Sequence, residues 1–233
     1  MINQHFSKII PILNKTYPKA KIALKYSNNW ELLVSVILSA QCTDKKVNEV
    51  TARLFAKYKT LEDYVCVDII KFEQDIKSTG FYHAKAKNIL TTAKLIQDKF
   101  KGIIPKTMAE MLTLAGVARK TANVVLGNAY CVVEGIAVDT HVNRISQRLR
   151  LVDLGKIGGK KKMSFKKDGK EVLEYVKDAD SNRIEQELMK VIPREDWFRF
   201  TYTIIDHGRA ICKAQNPNCH ICPLNKLCPA SRI

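Results

Sequence analysis

Four cysteines lie near the end of the chain, Cys212, Cys219, Cys222 and Cys228, with six, two and five residues between successive members. Thiolates this close in sequence can converge on one iron–sulfur cluster or one zinc ion. The prolines and asparagines among them (KAQNPNCHICPLNKLCP) bend the backbone between ligands, as wrapping a cluster requires. Seven cysteines cannot all pair, and the first residues (MINQHFSKII) show no secretory core or cleavage site, so a disulfide framework fits poorly. Zinc sites favour two short cysteine pairs. A first interval of six residues therefore favours an iron–sulfur cluster, with zinc the remaining alternative.

The rest of the chain must position these groups. Its 233 residues, 46% of them hydrophobic, suffice for one large domain or two modest ones around a packed core. A formal net charge of +16 calls for a polyanionic partner, nucleic acid ahead of an anionic membrane. A surface decorated with lysine throughout is the blander alternative. The nearest approach to a membrane span, Leu32 to Ala40, is too short. The expectation is a soluble protein of the cytoplasm with no membrane partner.

Apolar residues recur at helical period along most of the chain, and no run alternates convincingly as a strand. Asn28 or Asn29 can cap a helix through Trp30, Leu33, Val34, Ile37 and Leu38. A second helix starts near Thr43 or Asp44 and carries Val47, Val50, Leu54 and Phe55 on one face. Further helices are expected at 68–77, 84–100, 107–114, 119–130, 140–149, 181–191 and 195–213, with turn residues such as Gly80, Gly102, Pro105, Gly116 and Gly135 between them. The fold class is all-α. Residues 155–170 hold seven lysines and one acidic residue and read as a flexible basic loop. From Glu171 to Asp196 eight acids face four bases, and that stretch is expected to point away from a polyanion.

The segment LAGVARKTANVVL, residues 114–126, joins two helices through a glycine turn. Amides at such a turn and at the next helix N-terminus make an anion site suited to a DNA phosphate. This segment, VDTH at 138–141 and the four-cysteine spacing together resemble the endonuclease III family of base-excision-repair DNA glycosylases with lyase activity. SAQCTDK at 39–45, GFYHAKAKNI at 80–89 and DHGRAIC at 206–212 extend the resemblance to nearly the whole chain outside the lysine-rich stretch. It implies a two-lobed, all-α helix-hairpin-helix fold with a C-terminal 4Fe-4S cluster loop. One lobe is a helical bundle over 25–133; the other is a discontinuous iron–sulfur domain from 1–24 and 134–233, with a lysine-rich insertion around 153–172. The partner is double-stranded DNA containing damaged pyrimidines or abasic sites, bound by a nucleoid-associated monomer.

Residue by residue, Lys120 matches the family's catalytic lysine. Attack on a sugar C1′ to form a Schiff base needs the neutral amine. Lysine is ordinarily protonated at neutral pH, and a neighbouring cation such as Arg119, burial and helix N-terminal amides all favour the neutral form. Asp139 matches the catalytic aspartate, suited to proton transfer and to stabilising positive charge on the sugar; an aspartate before a helix is equally an ordinary N-cap.

Gln41 and Phe81 fall where the family places the side chains that fill the stack vacated by a flipped base. Phe81 departs from the family's usual aliphatic residue, and a core aromatic is its rival reading. Gln41 can instead cap a helix C-terminus, and Asp44 either helps with the lesion or caps the next helix. Gly116, Val117, Ala118 and Arg119 form the phosphate-binding turn, with His141 and Lys213 as further DNA contacts. Ala115 and Ala118 replace the family's usual Pro and second Gly, which costs about 1 kcal/mol if position 118 needs a positive φ.

Cys212, Cys219, Cys222 and Cys228 ligate the cluster by the same match, leaving Cys42, Cys66 and Cys131 as buried free thiols. A monofunctional adenine or thymine-mismatch glycosylase of this fold lacks the hairpin lysine. An electron carrier has no use for the hairpin or the charge.

Overall fold

The computed structural model describes residues 4–233. The first three residues, part of the expected 1–24 segment and of the stretch read for a secretory core, lie outside the described residues. The chain divides into two compact units, Ala23–Glu134 and Met1–Ile22 with Gly135–Ile233.

The continuous unit holds α2 (Asn29–Leu38), α3 (Asp44–Lys57), α4 (Leu61–Cys66), α5 (Ile69–Ile76), α6 (Tyr82–Phe100), the single turn α7 (Met108–Met111) and α8 (Arg119–Tyr130). Side chains able to accept from free amides start most of them. Asn28 accepts from the Glu31 amide, Thr43 from Lys46, Asp68 from Lys71, and Thr60 and Asp63 form a reciprocal capping box. Every residue of α2 from Leu32 to Leu38 is buried, which makes it the unit's central helix, packed by α3, α6 and α8. Each fully buried Leu, Val or Ile there contributes roughly 1.5–3 kcal/mol by leaving water. Trp30, Tyr58, Tyr64 and Phe72 pack as an aromatic cluster of edge-to-face and tilted ring pairs.

In the discontinuous unit, α1 (Gln4–Thr16) places Phe6, Ile9 and Leu13, at i, i+3 and i+7, against α11 (Trp197–Ala210). The same core takes Val142, Ile145 and Leu149 from α9 (Thr140–Arg148) and the turn after it, and Ile184 and Leu188 from α10 (Ser181–Val191).

Two expectations change here. Residues 155–170 are not simply a flexible loop: β1 (Lys162–Lys167) and β2 (Lys170–Val176) pair antiparallel with a bulge at Met163/Ser164. Asp168 and Gly169, with φ of 49° and 75°, make the two-residue turn, the backbone signature of a type I′ hairpin. The fold is therefore mostly helical, with one hairpin. Gln147 seals the hairpin's inner end by bonding both the amide and the carbonyl of Val176, at 2.7 and 3.1 Å. The segments expected at 107–114 and 195–213 are shorter, at Met108–Met111 and Trp197–Ala210, and α4 was not anticipated.

Candidate functional site

In the continuous unit, the chain leaves Leu114, turns at Gly116 and enters α8 at Arg119. The Val117 amide bonds the Leu114 carbonyl at 3.2 Å, and Thr92 of α6 donates to the Ala115 carbonyl at 3.0 Å, pinning the turn. Gly116 has φ +75°, and a Cβ there would meet Asn88 at 2.8 Å, so only glycine fits. Ala118 instead has φ −96° and ψ 173°, extended backbone that any residue adopts. The strain anticipated at Ala118 is absent; it falls on Gly116. No side chain caps α8, which leaves its first-turn amides as an anion-binding face. Val117 is buried, Arg119 is half-buried, and Lys120 is exposed in the first turn.

Two turns of the same unit carry the expected wedge residues. Gln41 follows α2 with φ 52° and is exposed. Phe81 precedes α6 with φ 50° and is 66% exposed, so it is not a core aromatic. The C-cap of α2 is Ser39, and the cap of α3 is Thr43; neither Gln41 nor Asp44 does that work. Asp44 is the first residue of α3.

Asp139, in the discontinuous unit, caps α9: its Oδ1 accepts from the His141 and Val142 amides at 2.9 and 2.8 Å. Oδ2 makes neither cap bond, so capping leaves one carboxylate oxygen for other work. His141 lies against α11, where a Cβ on Gly208 would fall 2.3 Å from its Nδ1; Arg144 Nη2 sits 3.2 Å from the same nitrogen.

Cys212, Cys219, Cys222 and Cys228 line one pocket, with Ile145, Leu149, His207 and Leu224 supplying apolar or buried walls. Among the described residues, no three His, Cys, Asp or Glu side chains converge tightly enough for a single metal ion. Four thiols around one pocket, none drawn into a tight single-ion group, are a donor set suited to an iron–sulfur cluster. Arg148 donates from Nη1 to the Cys212 Sγ at 3.3 Å, and His207 Nε2 lies 3.7 Å from the Cys222 Sγ. The Ser231 Oγ, buried without a protein partner on the same wall, is a further polar group suited to cluster sulfur. Burial pushes the Cys222 thiol up to about 11 and Cys228 to about 12, so protons must leave when iron binds. Burial and the nearby Arg144 hold His207 down at about 4, a neutral imidazole whose Nδ1 lies 3.1 Å from the Tyr17 hydroxyl.

The arginine clamp was not read from the sequence. Arg148, 2% exposed, also bonds the Lys213 and Ala214 carbonyls at 2.7 and 3.1 Å and pairs with Glu174 of β2 at 3.1 Å. Glu174 takes Arg232 on its other side at 2.8 Å, four residues beyond Cys228. Burial works to raise the Glu174 carboxyl, but Arg232 and Arg148 outweigh it and hold it below the usual range. Lys213 is exposed, and its carbonyl is what the clamp holds. The other thiols are not buried: Cys66 and Cys131 are exposed and Cys42 is half-buried.

No helix among the described residues is long and apolar enough to cross a membrane. Residues 34–174 match the family model of HhH-GPD superfamily base excision DNA repair proteins, and residues 212–228 match the iron-sulfur binding domain of endonuclease III. The second match spans all four cysteines of the pocket, and the chain carries a 4Fe-4S cluster. The chain is 44% identical to an endonuclease III of Synechocystis over 98% of its own length and 94% of the relative's. It is 45% identical to one of Bacillus subtilis over 91% and 86% of the two lengths. Among solved structures, a trapped endonuclease III–DNA covalent intermediate superposes with a TM-score of 0.85 at 40% identity, covering 99% of this chain and 98% of that one.

Proposed function

The chain belongs to the endonuclease III family of base-excision repair proteins, DNA glycosylases with lyase activity, and from that premise we propose that it removes oxidised pyrimidines from duplex DNA and cleaves the abasic site through a Schiff base at Lys120. The observation that carries this reading is the exposed amine of Lys120 in the first turn of α8, directly after the glycine turn. The Lys120 Nζ adds to the sugar C1′ as the glycosidic bond breaks, and the base leaves with the bonding pair and a proton. Ring opening gives an imine between Nζ and C1′. Loss of a C2′ proton then expels the 3′ phosphate by β-elimination, and water returns the free amine.

Asp139 stabilises the positive charge that develops on the sugar, through the carboxylate oxygen its cap bonds leave over. The α8 amides and the Gly116 turn take a DNA phosphate, and the +16 charge strengthens the encounter with DNA. Gln41 and Phe81 enter the vacated stack, with His141, Asp44 and Lys213 as further contacts near the lesion or backbone. The cluster, when bound, fixes the loop from Cys212 to Cys228. The enzyme works as a monomer on nucleoid DNA of a cell without a nucleus.

The test is borohydride trapping on duplex DNA with one thymine glycol, wild type against Lys120→Gln. A covalent adduct that vanishes in the variant is expected. Base release without any adduct in the wild type would leave a monofunctional glycosylase.

A further inference from the structure

Among the described residues of the continuous unit, the one charged side chain fully withdrawn from water is Lys85, 4% exposed, on the second turn of α6. An ammonium in a core is expensive unless its donors are used, and an apolar side chain would fill the space at no such cost. Here Nζ donates to two backbone carbonyls, Leu38 and Thr79, each at 2.9 Å. These carbonyls come from segments far apart in sequence. Leu38 is the last residue of α2, three residues before Gln41. Thr79 ends a single 3-10 turn and is followed by Gly80 and Phe81, at φ 69° and 50°. The Lys85 amide also bonds the Phe81 carbonyl at 3.1 Å.

Gln41 and Phe81 are both non-glycine residues in the left-handed region, a conformation that costs on the order of 1 kcal/mol each and persists only where surroundings enforce it. Both are exposed at the tips of turns whose bases meet on one ammonium. The Lys85 ammonium thus ties the base of the Gln41 turn directly to the base of the Phe81 turn.

We infer that Lys85 is a positioning residue for base extrusion, a buried strut that holds the Gln41 and Phe81 turns in fixed register. The inference rests on the reading that Gln41 and Phe81 occupy the vacated stack. Lys85 touches neither DNA nor reacting atoms. Its loss should leave chemistry at an already extruded sugar intact and slow the step that needs the wedge.

The experiment compares wild type, Lys85→Met, Phe81→Ala, Gln41→Ala and the Lys85→Met/Phe81→Ala double variant in single-turnover excision of thymine glycol from duplex DNA. Each protein is also assayed for β-elimination at an abasic site in single-stranded DNA, where no base need be extruded. Lys85→Met should slow duplex excision by about 10- to 100-fold and change single-strand elimination by less than about 2-fold. In the double variant its effect should largely disappear, because both changes disable one device. Equal slowing on both substrates, or effects that multiply in the double variant, would overturn the inference. If neither Phe81→Ala nor Gln41→Ala slows duplex excision, the wedge reading itself has failed, whatever Lys85→Met does. Should Lys85→Met not fold, Lys85→Arg takes its place. Its planar fork cannot hold both carbonyls where the ammonium does, so duplex excision should slow several-fold with elimination unchanged, and unchanged rates on both would refute the strut.

Discussion

The continuous unit buries one charged side chain, Lys85, whereas the discontinuous unit buries Arg144, Arg148, Glu174 and Glu185 together with the neutral His207. The contrast follows from what each unit holds. The first is built round α2, buried on every side from Leu32 to Leu38, and the residues proposed for function sit on exposed turns around it. The second has to house an iron–sulfur cluster, and its interior carries donors aimed at Cys212 sulfur and at the carbonyls of the cysteine loop. Apolar packing fills volume without direction. A clamp made of arginine and carboxylate fixes angles as well, but only while every partner is present.

The difference is broken most severely by Arg148→Met. It leaves Glu174 with Arg232 alone and frees two loop carbonyls, a loss of about 3–5 kcal/mol in the cluster unit. Chelator-driven bleaching of the iron–sulfur absorbance should speed up by more than tenfold, and an unchanged bleaching rate would remove the clamp from the account. Leu33→Ala, in the heart of α2, should cost about 2–5 kcal/mol with the opposite pattern: hydrogen exchange in the continuous unit rises while cluster release stays put.

Glu174→Gln sharpens the contrast by pH. Because the folded-state carboxyl sits below its ordinary value, its contribution is present above the unfolded glutamate pKa and lost as pH falls through the folded one. The stability gap between wild type and E174Q should therefore be widest near neutrality and close in acid, as read by denaturant titration of the apoprotein; a gap that grows on acidification would refute it.

Asp139 separates structure from chemistry on a smaller scale. Asp139→Ala should cost about 1 kcal/mol through the lost cap, whereas Asp139→Asn keeps the cap and should still lose most base excision. The smallest effect distinguishes two positions in one turn. Ala118→Gly should destabilise by about 0.5 kcal/mol by loosening the unfolded chain, because Ala118 is already unstrained; a gain in stability would mean position 118 wants a positive φ after all. Gly116→Ala should lose considerably more, since both its φ and Asn88 oppose a methyl group.

Much of this was legible wherever the deciding interaction is local. Asn28, Asp68 and Asp139 announce helix starts because a side-chain acceptor needs only the next few amides. Cysteine spacing marks a metal centre because the ligands share one loop. Asp168–Gly169 carries the local signature of a hairpin turn, but it sits within a run whose dominant feature is lysine charge. Nothing local distinguishes Lys85 from the chain's other lysines, since its burial is made by α2 and the Thr79 turn. Arg148 and Glu174 are likewise 26 residues apart in sequence. Nor could sequence say that Cys66 and Cys131 would face outward, because thiols suit either side of a surface.

The way the chain is divided also sets an order of events during synthesis. The unit Ala23–Glu134 is complete as soon as Glu134 clears the ribosome, but α1 must wait for α11 before Phe6, Ile9 and Leu13 find cover. At about 5–20 residues per second, that leaves an apolar helix unpaired for roughly 10–40 s. The last ligand, Cys228, emerges later still. All of the Ala23–Glu134 unit has therefore been synthesised before the four-cysteine loop is complete. Starving cells of iron should accumulate molecules with a finished first unit and an open second unit, prey for proteases at one end only.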